Sequence, residues 1–180
     1  LLGPAGALSV YAADATEGQL TLYVNGAVAT SGDGRTPEQA FKTIGEAITS
    51  AIAGDTIYVA AGSYQESFIL PTGVRLQGDG YKNTRIIASQ PNRSVAILNA
   101  ETMLTGFTIT SAAANELTNA VEIRGGGVTV AHNHLTLSRT GIAASCWSGV
   151  LCSQPITITH NIVDQNDSVG IDVALSPPMT

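Results

Sequence analysis

The chain has 180 residues, 44 % of them apolar and only 12 % charged, and its 8 basic and 14 acidic side chains leave a net charge of −6. That apolar content excludes global disorder, and no run of about 18 apolar residues is present to make a membrane-spanning helix. Eight scattered Lys and Arg do not form the basic patch that a nucleic-acid partner requires.

The first stretch, Leu1-Leu2-Gly3-Pro4-Ala5-Gly6-Ala7-Leu8-Ser9-Val10, resembles the late part of a secretory signal, and Ala13-Asp14-Ala15 its small-residue cleavage site. Termini fray unless tied down, so an apolar segment kept in the chain is expected to dock on something. Residues 1–19 are read as this docking segment and 20–180 as a single domain. A helix is predicted over 37–53. Thr36 is its N-cap, Pro37 its first position, and Gln39 sits three after the cap. Ala40, Phe41, Ile44, Ala47, Ile48, Ala51 and Ile52 recur at helical spacing, and Gly54 supplies a left-handed stop.

After Asp55 the period changes to short β-rich runs broken by Gly, Asn, Asp and Ser. Strands are predicted at 56–60, 67–70, 74–77, 85–88, 95–98, 104–110, 121–124, 128–131, 135–137, 156–159 and 170–175. No second helix of that quality follows, which excludes a doubly wound βαβ sheet. The runs also repeat. Thr129-Val130-Ala131-His132-Asn133 matches Thr157-Ile158-Thr159-His160-Asn161 at an offset of 28 residues. Thr140-Gly141-Ile142 matches Val169-Gly170-Ile171 at 29, and Thr105-Gly106-Phe107 lies 26 residues before the first His-Asn repeat. A repeat of this length built from strands alone is a β-helical solenoid, with three short strands per coil. Asn133 and Asn161 would then stack as an amide ladder at a turn, with His132 and His160 stacked beside them.

Cys146 and Cys152 are too few for a tetrahedral zinc site, and a disulfide closing their short loop is preferred over two free thiols. Trp147 on that loop is a candidate contact for a sugar or a partner, or a cover for the coil edge. Asn92-Arg93-Ser94 and Asn166-Asp167-Ser168 match the glycosylation acceptor pattern. With the low charge, these features point to a secreted or cell-surface protein.

An ordered series of motifs resembles one family. It comprises Leu22-Tyr23-Val24-Asn25, Ser31-Gly32-Asp33-Gly34, Pro37-Glu38-Gln39-Ala40-Phe41-Lys42-Thr43-Ile44, Gly54-Asp55-Thr56-Ile57-Tyr58-Val59, Ala61-Gly62-Ser63-Tyr64 and Gly73-Val74-Arg75-Leu76-Gln77-Gly78. Over about residues 20 to 175 the chain is similar to the right-handed parallel β-helix superfamily of pectate-lyase-like proteins, and in particular to the amino-terminal module of secreted bacterial and archaeal members. The resemblance implies an all-β solenoid of about five coils, capped by the helix at its N-terminal end. It is nearly silent on activity, because the superfamily holds lyases, hydrolases, epimerases, adhesins and structural proteins.

Lyases of that superfamily use an Arg or Lys base and often acidic residues holding calcium. Candidates here are Arg124, Arg139, Glu122, Asp164, Asp167 and Asp172, but their spacing makes no calcium loop. His132 and His160 are weak candidates for a metal, and a satisfied stack is the preferred reading. No cofactor is expected. The favoured function is a non-catalytic extracellular structural protein. In it the segment carrying Leu1, Leu2, Leu8, Val10 and Tyr11 meets the strand carrying Ile171, Val173 and Leu175 of a neighbouring copy, head to tail. A polysaccharide-binding or polysaccharide-degrading module is the alternative.

Overall fold

The computed structural model describes residues 19–111, 118–146 and 154–175, without the side chains of Cys146 and Leu175. The chain enters through β1 (Thr21–Val24), passes a 3-10 turn at Pro37–Gln39 and helix α1 (Ile44–Ser50), and then winds through triads of short strands. The first triad is β2 (Thr56–Val59), β3 (Gly62–Gln65) and β4 (Phe68–Leu70); the second is β5 (Arg75–Gly78), β6 (Thr84–Ile87) and β7 (Ala96–Leu98). The third is β8 (Met103–Thr105), β9 (Thr108–Thr110) and β10 (Asn119–Ile123), and the fourth is β11 (Thr129–Ala131), β12 (His134–Thr136) and β13 (Thr140–Cys146). The last is β14 (Thr157–Thr159), β15 (Ile162–Asp164) and β16 (Val169–Leu175).

Equivalent strands of successive triads pair in parallel. They build three sheets, ordered β1-β2-β5-β8-β11-β14, β3-β6-β9-β12-β15 and β4-β7-β10-β13-β16. The fold is an all-β parallel solenoid. The repeat offsets are its registers: Thr129 lies opposite Thr157 in the first sheet, and Thr140 opposite Val169 in the third. The looser 26-residue match sets Thr105 against Ala131 and Thr108 against His134.

Alternation within each strand sends one column of side chains inward, and stacking keeps each column apolar along the axis. Leu22, Ile57, Leu76, Leu104 and Val130 form one such column. Tyr64, Ile86, Ile109 and Leu135 form a second, and Leu70, Leu98, Ile123 and Ala144 a third. None of these thirteen residues is more than 5 % exposed. Each large one contributes about 1.5–3 kcal/mol by leaving water.

The helix predicted over 37–53 is broken in the middle. Ala40 takes an extended conformation, with φ −58° and ψ 147°, and Phe41 bridges to Val24. The Phe41 N–H donates to the Tyr23 carbonyl and its carbonyl accepts from Asn25 N–H, both at 2.8 Å. Tyr23 N–H in turn donates to the Gly34 carbonyl at 2.8 Å. An open strand edge leaves backbone groups unpaired, and satisfying the edge of β1 outweighs continuous helix here. Helix α1 starts afterwards, with Thr43 and Glu46 as a reciprocal capping box. Glu66 accepts the Ile44 and Gly45 N–H groups at 2.9 Å each, and Ile44 and Ala47 are buried. The β1 end of the solenoid is therefore covered.

The run predicted over 104–110 also divides. Gly106, at φ +83°, turns the chain between β8 and β9. Gly78 and Gly106 stack so closely that a Cβ on either would lie 2.5–2.6 Å from the carbonyl oxygen of the other.

Candidate functional site

Five turns between sheets share one pattern. A residue with positive φ is followed by one facing inward: Gly106-Phe107, His132-Asn133 and His160-Asn161 at one corner, Leu137-Ser138 and Gln165-Asn166 at the next. Such a turn takes an N–H and a C=O out of the regular ladder. At three of them an asparagine of the following coil satisfies both. Asn133 Oδ1 accepts from Phe107 N–H and its Nδ2 donates to the Leu104 carbonyl, both at 3.0 Å. Asn161 does the same for Asn133 N–H (3.0 Å) and the Val130 carbonyl (2.8 Å). Asn166 does it for Ser138 N–H (3.2 Å) and the Leu135 carbonyl (3.1 Å).

Asn133 and Asn161 also meet directly, amide to amide, as their shared register predicts. Asn166 as a third clamp was not foreseen; its signal was the positive-φ residue just before it, which His-Asn shares. Its amide nitrogen, the atom a glycan would occupy, donates to the Leu135 carbonyl. At the other acceptor pattern Asn92 sits at φ 56°, and Ser94 Oγ donates to Glu122 at 2.6 Å.

The rings of His132 and His160 stack with centroids 4.9 Å apart and planes 17° from parallel. Thr159 Oγ1 lies 2.8 Å from His160 Nδ1. Stacked imidazoles turn their faces to each other, whereas a metal takes lone pairs that lie in the ring planes and converge within ~2.0–2.1 Å. Among the described residues no group of three or more His, Cys, Asp and Glu converges. The carboxylate absent beside the histidines in sequence reaches His134 instead. Asp164 Oδ1 lies 2.8 Å from His134 Nε2, and the Tyr81 ring meets His134 edge-on at 6.3 Å. Hydrogen bonds from His134 and then Thr136 hold the Asp164 carboxyl below its ordinary value.

The remaining charged candidates do not gather. Glu122 binds Arg124 at 2.7 Å and Ser94 on the outer face of the third sheet. Asp172 shares that outward column but lies two strands away, with Ala143 between. Arg139 and Asp167 are exposed turn residues. Trp147, Cys152 and residues 1–18 lie outside the described residues, and Cys146 is placed by its backbone alone, opposite Leu175.

The most distinctive surface is the last coil. Ile171 continues the column of Ala96, Val121 and Ile142, each fully buried, yet is 46 % exposed. Val173 continues the column of Ile123 and Ala144 and is 53 % exposed. Ile158 and Val163 continue the buried columns of Val130 and Leu135 and are only partly covered. Interior positions thus face water at this end among the described residues, while the β1 end is covered.

Over residues 24–177 the sequence matches a family described as a protein of unknown function, DUF1565. The chain belongs to the DUF1565 family. No curated protein and no solved structure matches it. The DUF1565 match takes in α1 and every strand triad, and residues 1–23 lie before it. No helix among the described residues of this DUF1565 chain is long and apolar enough to cross a membrane.

Proposed function

We propose that this chain is a non-catalytic structural protein acting outside the cell, its solenoids associating head to tail. In this reading the N-terminal segment of one copy meets the exposed last coil of the next. The observation that carries it is the exposure of Ile171 and Val173 at interior positions. A heterologous contact of this kind propagates into a filament unless its rotation closes a ring. The apolar stretch containing Leu1, Leu2, Leu8, Val10 and Tyr11 precedes the family match, in keeping with a role beyond the common fold. The separation of Glu122, Arg139 and Asp172 supports a structural rather than lyase-like role. We also read the fold as a right-handed, pectate-lyase-like β-helix, on the motif series from Leu22 to Gly78. Sedimentation velocity across a concentration series, with electron microscopy of the purified protein, tests the reading. Growing species with an axial repeat near one molecule are expected; a strict monomer at high concentration overturns it.

One observation favours a polysaccharide-binding alternative. Tyr23 and Tyr58 meet edge to face (centroids 6.2 Å apart) on the outer face of the first sheet, and line a small open pocket with Asn25, Pro37 and Ala40. Tyr58 Oη donates to Asp79 at 2.7 Å. Aromatic faces beside a carboxylate suit a sugar. Glycan-array binding lost in Tyr58→Ala is the expected result under this alternative.

A further inference from the structure

The last coil offers three strand edges, and they are not equivalent. β14 and β15 are three residues long, and each ends in a positive-φ turn, at His160 and at Gln165. At the three clamped turns below them, one amide side chain of the next layer both takes an N–H and donates to a carbonyl. Residues 1–18 contain no Asn and no Gln. β16 is different. It runs for seven residues without a positive φ, and it continues two buried columns through Ile171 and Val173 with Asp172 facing outward between them. A strand added there needs no amide, only alternating apolar residues. The N-terminal segment has one such stretch, Leu8-Ser9-Val10-Tyr11-Ala12.

Reach decides whether this stretch comes from the same copy. Six coil spacings separate the layer of β1 from a layer laid on β16, which is about 29 Å at ~4.8 Å each. From Ala12 to Leu20 a fully extended chain covers at most ~27–29 Å, with nothing left for the sideways path from the first sheet to the third. The stretch cannot lie flush on its own β16.

We propose, resting on the assembly reading above, that residues 8–12 of one copy add as a strand to the open edge of β16 of a second copy, Val10 and Ala12 covering Ile171 and Val173. Backbone pairing supplies affinity and the alternate side chains supply register, as in other strand additions. Tyr11 then lies on the outer face beside Asp172, where no like charge opposes it.

Two full-length variants test this, Val10→Lys in the donor and Val173→Lys in the acceptor, each checked for an intact fold by circular dichroism. Each alone should stay monomeric where the parent chain assembles. Mixed in equal amounts they should form a dimer that grows no further, because one copy retains a working donor and the other a working edge. A synthetic peptide of residues 5–14 should bind the parent chain and cap its growth, and should not bind Val173→Lys. If the parent chain assembles but Val173→Lys assembles equally, the edge assignment is wrong while the assembly reading stands. If the two variants fail to pair, or the peptide does not bind, strand exchange between copies is wrong. A parent chain that never assembles removes the reading beneath it.

Discussion

Asn133 Nδ2 donates to Asn161 Oδ1 at 3.1 Å, and the same Asn161 oxygen accepts the backbone N–H of Asn133 at 3.0 Å. One side-chain atom thus holds both the amide and the main chain of the residue one coil below. Asn133 is 1 % exposed, and its own oxygen serves Phe107 N–H in the same manner. Removing it strands several buried groups at once, each worth about 1–3 kcal/mol when left unpaired. Asn133→Ala should therefore destabilise by about 2–4 kcal/mol, and Asn161→Ala, at the more exposed end, by about 1–3 kcal/mol. Urea denaturation of both variants gives the order.

Two positive-φ positions should respond in opposite directions. Leu137 sits at φ 52° and is 49 % exposed, so its side chain meets strain and returns little burial. Leu137→Gly should raise stability by about 0.5–1 kcal/mol. Gly106→Ala should lower it by more than about 2 kcal/mol, because the new Cβ would press on the Gly78 backbone as well as strain the turn. Thermal melts of the two variants show whether they move to opposite sides of the parent chain.

Acid should weaken the third sheet through Glu122. Burial alone would raise its carboxyl, but hydrogen bonds from Ser94 and Arg124, with the Arg124 charge, bring it below its ordinary value of 4.5. A lowered folded value means that the ionised form stabilises the fold. The contribution is complete above the unfolded value and is lost as pH falls through the folded one. Glu122→Gln should remove that share of the pH dependence, leaving melting temperature flatter below about pH 4.5. An unchanged slope between pH 3 and 6 would show that Glu122 does not contribute to it.

The cap should depend on Thr43 rather than Thr36. Thr43 and Glu46 exchange side-chain and backbone hydrogen bonds at the start of α1. Ser31, first, and then Thr43 hold the Glu46 carboxyl below its ordinary value. Thr43→Ala should cost about 1 kcal/mol, the usual worth of a cap. Thr36 caps only a three-residue turn and accepts from Gln39 N–H at 3.3 Å, so Thr36→Ala should cost less. Amide exchange in α1, measured for the two variants, separates them.

The repeating architecture was legible in the chain. The offsets of 28 and 29 residues became the registers Thr129–Thr157 and Thr140–Val169, because a solenoid stacks like on like and side-chain alternation forbids a slip of one residue. The ladder of Asn133 and Asn161 followed from the same repeat. Other features depended on contacts across coils or at an edge. Helix periodicity ran unbroken from Ala40 to Ile52, yet the unpaired edge of β1 drew Phe41 out of it. Ile162–Asp164 is too short to read as a strand until β12 lies beneath it. The pairing of His134 with Asp164 joins residues 30 apart through a diagonal between two strands. The sequence alone therefore determined that the chain coils, its period and which residues face inward, since these follow from local alternation repeated along one axis. Only the tertiary structure decided which backbone groups lack partners at each end, because that depends on which neighbouring layer is present: the β1 edge is closed by Phe41 and Gly34, and Ile171 and Val173 are left facing water.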